Sequence, residues 1–241
     1  MPNKKMPLTD PKINHLLASL SDSEFEMISP HLEFVDLPAS TVLCEAESAF
    51  THVFFPTSCI INLLYVLENG ASTSLAEVGC EGMVGLPLFM GGGYTTSTAV
   101  VLRAGEGYQL KAKFFKEHFT QSLPLIHLLL RYCQALLTQL SQTAVCNRYH
   151  TMDQQLCRLL LQNLDRQRDN ELLMTQELIS TMLGVRREWV TECAIKLQRE
   201  GLISYVRGHI TIHSRKGLEN RVCECYGIVK KEFDRLLPSK K

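Results

Sequence analysis

The chain has 241 residues, 45% of them apolar and 21% charged, with 25 Lys and Arg against 25 Asp and Glu. That length suits two domains of ordinary size, and the composition excludes the disordered and fibrous classes. The neutral total conceals a split: from Asn147 onward 17 basic residues face 12 acidic ones, a balance of +5, while the first 146 residues hold 8 and 13, a balance of −5. Such asymmetry assigns any polyanionic partner to the C-terminal half.

The opening Met1-Pro2-Asn3-Lys4-Lys5 is followed by no apolar core, so no signal peptide is expected. Two charge-free stretches, 48–67 and 82–102, are broken by Pro56, Pro87 and glycines, and neither suits a membrane helix. Nine cysteines without secretory spacing imply reduced thiols, hence a cytoplasmic chain with no membrane partner.

Leu16, Leu17 and Leu20 mark a short amphipathic helix, and Ser21-Asp22-Ser23-Glu24 is a capping box that opens a second. From His31 the period changes to short apolar or alternating runs: Leu32, Phe34 and Val35; Val42-Leu43; Val53-Phe54-Phe55; Ile60 to Val66. Asn69-Gly70 is the strongest hairpin signal, and further runs follow at Ser74–Val78, Thr96–Leu102 and Gly107–Leu110. Strands this short and regularly spaced predict an antiparallel sandwich or barrel.

Around Pro124 the period returns to helical. Leu129, Cys133, Leu136, Leu140 and Thr143 form a heptad seam, and Leu130, Leu137 and Ala144 a neighbouring apolar stripe. Two stripes need two covers, read here as the chain's own β-domain and the same helix of a second subunit; a single buried helix in a monomer is the alternative. Short helices are predicted at Thr151–Asp165, Gln176–Leu183 and Arg186–Glu200. A hairpin over Leu202–His213, turning at Arg207-Gly208, and a helical tail from Leu218 to Leu237 complete the chain.

The segment 175–190 carries the chemistry. Thr175 can cap a helix whose inner face is Leu178, Ile179 and Met182, and Gly184 falls where a tight turn needs a left-handed residue. The next helix is expected to bury Val185, Trp189, Val190, Cys193, Ala194 and Leu197, leaving Arg186, Arg187, Glu188, Thr191 and Glu192 outward. That is a helix-turn-helix with hydrogen-bonding groups where base edges are read: arginine donates to guanine, and glutamate accepts from cytosine. Thr175 and Gln176 would reach phosphate, and Arg207 and His209 would sit near the tip of a wing.

The order of β-roll, long helix and winged helix resembles the Crp/Fnr family of bacterial regulators, as do Thr175-Gln-Glu-Leu-Ile, Leu183-Gly-Val-Arg-Arg-Glu and Leu197-Gln-Arg-Glu-Gly-Leu-Ile. The resemblance implies an α+β fold: an antiparallel, cyclic-nucleotide-binding-like β-roll over 1–118, a dimerisation helix over 119–146, a winged helix-turn-helix over 147–218 and a helical tail over 219–241. It implies a non-enzymatic homodimer on double-stranded DNA, with RNA polymerase as a partner, and it places half-site reading on Arg187 and Glu188. Glu192 stands where arginine is common, so the half-site is expected to differ.

The effector region departs from the family. Where cyclic-nucleotide members carry a Gly-Glu pair and an Arg-Ser/Thr-Ala run, this chain has Gly85-Leu86-Pro87 and Thr96-Ser97-Thr98-Ala99. A phosphate there would be desolvated without a charge partner, so cAMP is not expected and the small-molecule effector is unknown. No cysteine precedes Cys44, so an N-terminal iron–sulfur centre is not expected either.

His209, His213, Cys223 and Cys225 are the candidate metal ligands of the C-terminal half. On one strand the two histidines would stand roughly 13 Å apart, too far for one ion. On one helix the two cysteines would take nearly opposite faces. No metal is therefore expected. Neither a nucleophile elbow nor a phosphate-cradling loop is present, and Gly91-Gly92-Gly93 lacks the following Lys-Ser/Thr. The rival to a DNA-binding regulator is a β-roll interaction module that has lost DNA binding.

Overall fold

The computed structural model describes residues 10–119, 121–167 and 169–237. Its elements are, in order, α1 (His15–Ala18), α2 (Asp22–Ile28), β1 (Glu33–Leu37), β2 (Val42–Cys44), β3 (His52–Pro56), β4 (Ile60–Val66), β5 (Ser72–Val78), α3 (Pro87–Met90), β6 (Thr98–Arg103), β7 (Gly105–Lys111), α4 (Ala112–Phe119) and α5 (Leu123–Tyr149). There follow α6 (Met152–Asp165), β8 (Glu171–Leu173), α7 (Gln176–Leu183), α8 (Arg187–Arg199), β9 (Ile203–Val206), β10 (His209–Ile212), α9 (Arg215–Glu219) and α10 (Glu224–Leu236). The chain divides into two compact units. One holds the residues up to Asn62, Glu77–Gln134 and those from Phe233; the other holds Leu63–Ala76 and Ala135–Glu232.

In the β-rich part, strands run in the orders β1-β7-β3 and β2-β6-β4-β5, with β1–β7, β3–β7 and β2–β6 paired antiparallel. Burial alternates in β6, where Ala99 and Val101 are buried between half-buried neighbours, whereas β3 and the start of β4 bury consecutive residues, Val53 to Pro56 and Ile60 to Asn62. The β4–β5 hairpin turns as expected, with Gly70 at φ +82° and the Asn69 side chain accepting from the Ala71 amide at 3.0 Å. The Ser21/Glu24 capping box is present. Asn14, fully buried, donates to the carbonyls of Pro56 and Gly82 and accepts from the amides of Leu16 and Leu17, tying the first helix to the strands. Gly82 is needed where it stands. A Cβ there would come within 2.5 Å of the Tyr132 hydroxyl, which donates to the Met83 carbonyl.

α5 runs 27 residues, and its two stripes differ in cover. Leu129 is buried, and Cys133, Leu136, Leu140 and Thr143 are half-buried, whereas Leu130 and Leu137 are 51% and 63% exposed and Ala144 is exposed too. The stripe left open by the chain itself is therefore the second.

Three local expectations are revised. α3, α4 and β8 were not foreseen. The tail is not one helix: the segment from Asn220 to Cys223 interrupts it between α9 and α10. Trp189, expected in the core, is 54% exposed, and Val185 and Cys193 are only half-buried; Val190, Ala194 and Leu197 alone make the buried face of α8.

Candidate nucleic-acid interface and a thiol–imidazole cluster

α7 begins on Thr175, whose hydroxyl accepts from the Leu178 amide at 3.1 Å, and ends on Gly184 in the left-handed region (φ +66°, ψ +36°). A Cβ at Gly184 would lie 3.1 Å from Thr73 Oγ1. Gly184→Ala is therefore expected to destabilise this unit by about 1–2 kcal/mol in urea unfolding, from the left-handed backbone and the tight contact together.

Ile179, Met182 and Leu183 of α7 are buried, as are Val190, Ala194 and Leu197 of α8. Thr191 Oγ1 donates to Gln176 Oε1 at 2.9 Å and to the Arg187 carbonyl at 3.1 Å. Gln176 and Thr191, both expected to meet DNA, thus join the two helices to each other. Arg187 and Glu188 occupy the first turn of α8, Arg186 caps it without a side-chain bond, and Glu192 lies one turn on. All four side chains are exposed and make no hydrogen bond or ion pair to a described residue. Polar groups left in water on the leading turns of a helix can exchange that water for base edges at small cost.

The wing is a three-stranded sheet of order β8-β10-β9, one strand more than expected. Arg207 (φ +49°) and Gly208 (φ +85°) form the hairpin turn, and Arg207 and His209 are exposed. The Met174 amide donates to the Gly208 carbonyl at 2.8 Å and the Tyr205 hydroxyl to the Met174 carbonyl at 2.7 Å. The wing tip is thereby fixed beside the start of α7.

The expected effector residues do not converge as donors. Gly85, Leu86 and Ser97 are buried, while Thr96 is exposed. Ser97 Oγ lies 3.1 Å from Thr95 Oγ1, and Thr98 Oγ1 accepts from the Ala46 amide at 3.3 Å. Their oxygens already have local partners.

A constellation missed in the sequence lies in the same unit as the helix-turn-helix. Cys146, His150, Cys223 and Cys225 bring one ligand atom each to within 4.8 Å of one another. Cys146 Sγ is 3.6 Å from Cys223 Sγ, and Cys225 Sγ is 3.5 Å from His150 Nδ1. The expectation of no metal paired Cys223 and Cys225 with His209 and His213 and placed both cysteines on one helix. The fold overturns both premises, because α10 starts at Glu224 and the chain bends just before it. Burial pushes the Cys146 thiol up to about 12 and the Cys225 thiol up to about 11. Burial also raises the Cys133 and Cys157 thiols, which leaves little thiolate on either.

Two family models match the sequence: the Crp-like helix-turn-helix domain over residues 154–221 and the cyclic nucleotide-binding domain over 34–122. Solved structures match over most of the chain. A transcriptional regulator of the Crp/Fnr family from Eubacterium rectale superposes with a TM-score of 0.69 at 21% identity, covering 87% of this chain and 98% of its own. The chain has the Crp/Fnr fold. The FixK2 protein of Bradyrhizobium japonicum superposes with a TM-score of 0.67 at 13% identity, over 80% of this chain and 98% of that one. A Crp/Fnr-family regulator from Thermus thermophilus gives 0.62 at 20%, over 78% and 97%. No curated protein matches the sequence. Among the described residues no helix is long and apolar enough to cross a membrane.

Proposed function

We propose that this Crp/Fnr-fold chain is a homodimeric, sequence-specific transcriptional regulator acting on a two-fold DNA operator. The observation that carries the reading is the exposed, unengaged set Arg186, Arg187, Glu188 and Glu192 on the leading turns of α8, braced by α7 and the wing. A two-fold pair of such helices spaced to enter successive major grooves would read half-sites about one helical turn apart. Arg207 and His209 on the wing would contact backbone. RNA polymerase is the expected protein partner on the family resemblance alone, and the cytoplasm the expected location. The effector would not be cAMP, since Leu86 and Ser97 stand where a carboxylate and an arginine would grip ribose and phosphate; nothing in the chain calls for catalysis.

Selection of bound duplexes from a random pool tests the reading. A palindromic motif is expected, with Arg187→Ala and Glu188→Ala each weakening binding by about 1–3 kcal/mol and relaxing one base pair per half-site. Failure to enrich any motif, with or without cell extract, would retire it. Trp189, the one tryptophan, sits among these residues and offers a fluorescence signal for the titration.

A further inference from the structure

We propose that Cys146, His150, Cys223 and Cys225 form a closed, mononuclear zinc site that fastens the start of α10 to the end of α5. Cys146 and His150 are one helical turn apart, joined by the His150 amide donating to the Cys146 carbonyl at 3.1 Å, so their side chains share a face. Cys223 and Cys225 approach from the bend before α10 and from its first turn. Cys146 and Cys225 are fully buried and Cys223 nearly so. Three thiols and an imidazole form a four-ligand set used in structural zinc sites, with no position open to water or substrate.

The spacing selects one ion. Zinc–sulfur bonds of about 2.3 Å put the corners of a tetrahedron about 3.8 Å apart. The 3.6 Å and 3.5 Å separations sit at that value, and 4.8 Å bounds all the others. An iron–sulfur cluster divides its four ligands over two or more irons and so spreads the full set more widely than one ion does.

The surroundings fit as well. Glu224 Oε2 lies 3.3 Å from His150 Nε2. A proton held there leaves the Nδ1 lone pair facing the thiols, the usual arrangement of a carboxylate behind a metal-bound histidine. Gln155 donates to the carbonyls of His150 and Cys146, fixing the last turn of α5. Three thiolates around a divalent ion leave one net negative charge. Arg158, buried in the same unit, donates to Thr143 Oγ1 at 3.2 Å, has no hydrogen-bond partner for its Nε among the described residues, and would serve as the compensating cation.

Full-length protein purified under reducing conditions and without a histidine tag is expected to hold one zinc per chain by elemental analysis. Replacing zinc with Co2+ is expected to give the thiolate-to-cobalt charge-transfer band and the strong visible bands of a tetrahedral site. Cys223→Ser and His150→Gln should lose the equivalent, whereas His209→Ala and His213→Ala should keep it. The wild-type cobalt spectrum decides alone if a variant fails to fold. The proposal is overturned if the wild type takes up neither Zn2+ nor Co2+ stoichiometrically, carries iron and sulfide instead, or shows a Cys146–Cys223 disulfide under the same conditions. A metal-loaded protein that enriches no DNA motif would leave this site standing while removing the DNA reading.

Discussion

A chain carrying both Leu130→Glu and Leu137→Glu is expected to sediment as a monomer and to bind its operator about 10²–10⁴-fold more weakly, the loss that follows when two half-site contacts cease to be linked. Leu123, Leu130, Leu137 and Ala144 recur every seven residues along α5, and the three leucines are 62%, 51% and 63% exposed. A heptad stripe left in water on a 27-residue helix is the pattern that packs against a second copy of itself. Two carboxylates facing their two-fold mates would have to be desolvated without a cation, which outweighs the remaining apolar contact. Because neither leucine lies in the chain's own core, far-UV circular dichroism should stay unchanged, separating lost dimerisation from lost folding. A double variant that remains dimeric would remove α5 as the subunit contact.

What the sequence revealed and what it hid divide along physical lines. The helix-turn-helix was legible because each signal is local: Thr175 as cap, Gly184 as left-handed residue, and buried positions at helical spacing on either side. The Asn69-Gly70 and Arg207-Gly208 turns were legible for the same reason, since positive φ restricts the residues that fit. Both stripes of α5 could be seen, but hydrophobicity has no address: whether Leu129 or Leu130 meets the chain's own β-domain depends on tertiary packing. Trp189 is large and apolar yet exposed, because it stands one residue from the buried Val190 and a helix turns about 100° per residue. β8, three residues long, is too short for a period and exists through its pairing with β10.

The thiol–imidazole cluster was hidden for a different reason. Its halves lie 77 residues apart between Cys146 and Cys223, and no local rule couples them. The available sign was Cys146 and His150 at a spacing of four, which places two ligands on one helical face. Treating Cys223 and Cys225 as residues of a continuous helix removed the other half. The break before Glu224 is what lets both thiols turn the same way.

Asp165→Asn is expected to destabilise the unit that holds the helix-turn-helix by about 2–4 kcal/mol at neutral pH. Asp165 ends α6 and gathers the groups that follow the wing: Arg215 through a short ion pair, the Tyr226 hydroxyl at 2.8 Å and Lys230 at 3.3 Å. Burial raises its pKa, but the bonds from Arg215 and Tyr226 and the charge of Lys230 outweigh burial and hold it below the usual carboxylate range. A carboxyl depressed in the folded state contributes stability that is present above its unfolded value, about 3.9, and is lost as the pH falls through the folded value. Asparagine can replace one hydrogen bond and none of the charge, leaving Arg215 half-buried without its main partner. The gap between wild type and variant should therefore be widest near neutrality, start to narrow below about pH 4, where the unfolded chain takes up its proton, and close as the pH falls on through the lower folded value. Trp189 makes this measurable in one unit of a two-unit chain, since its fluorescence follows the helix-turn-helix alone. A gap that stayed constant from neutral to acid pH would show that shape, not charge, joins α6 to α9 and α10.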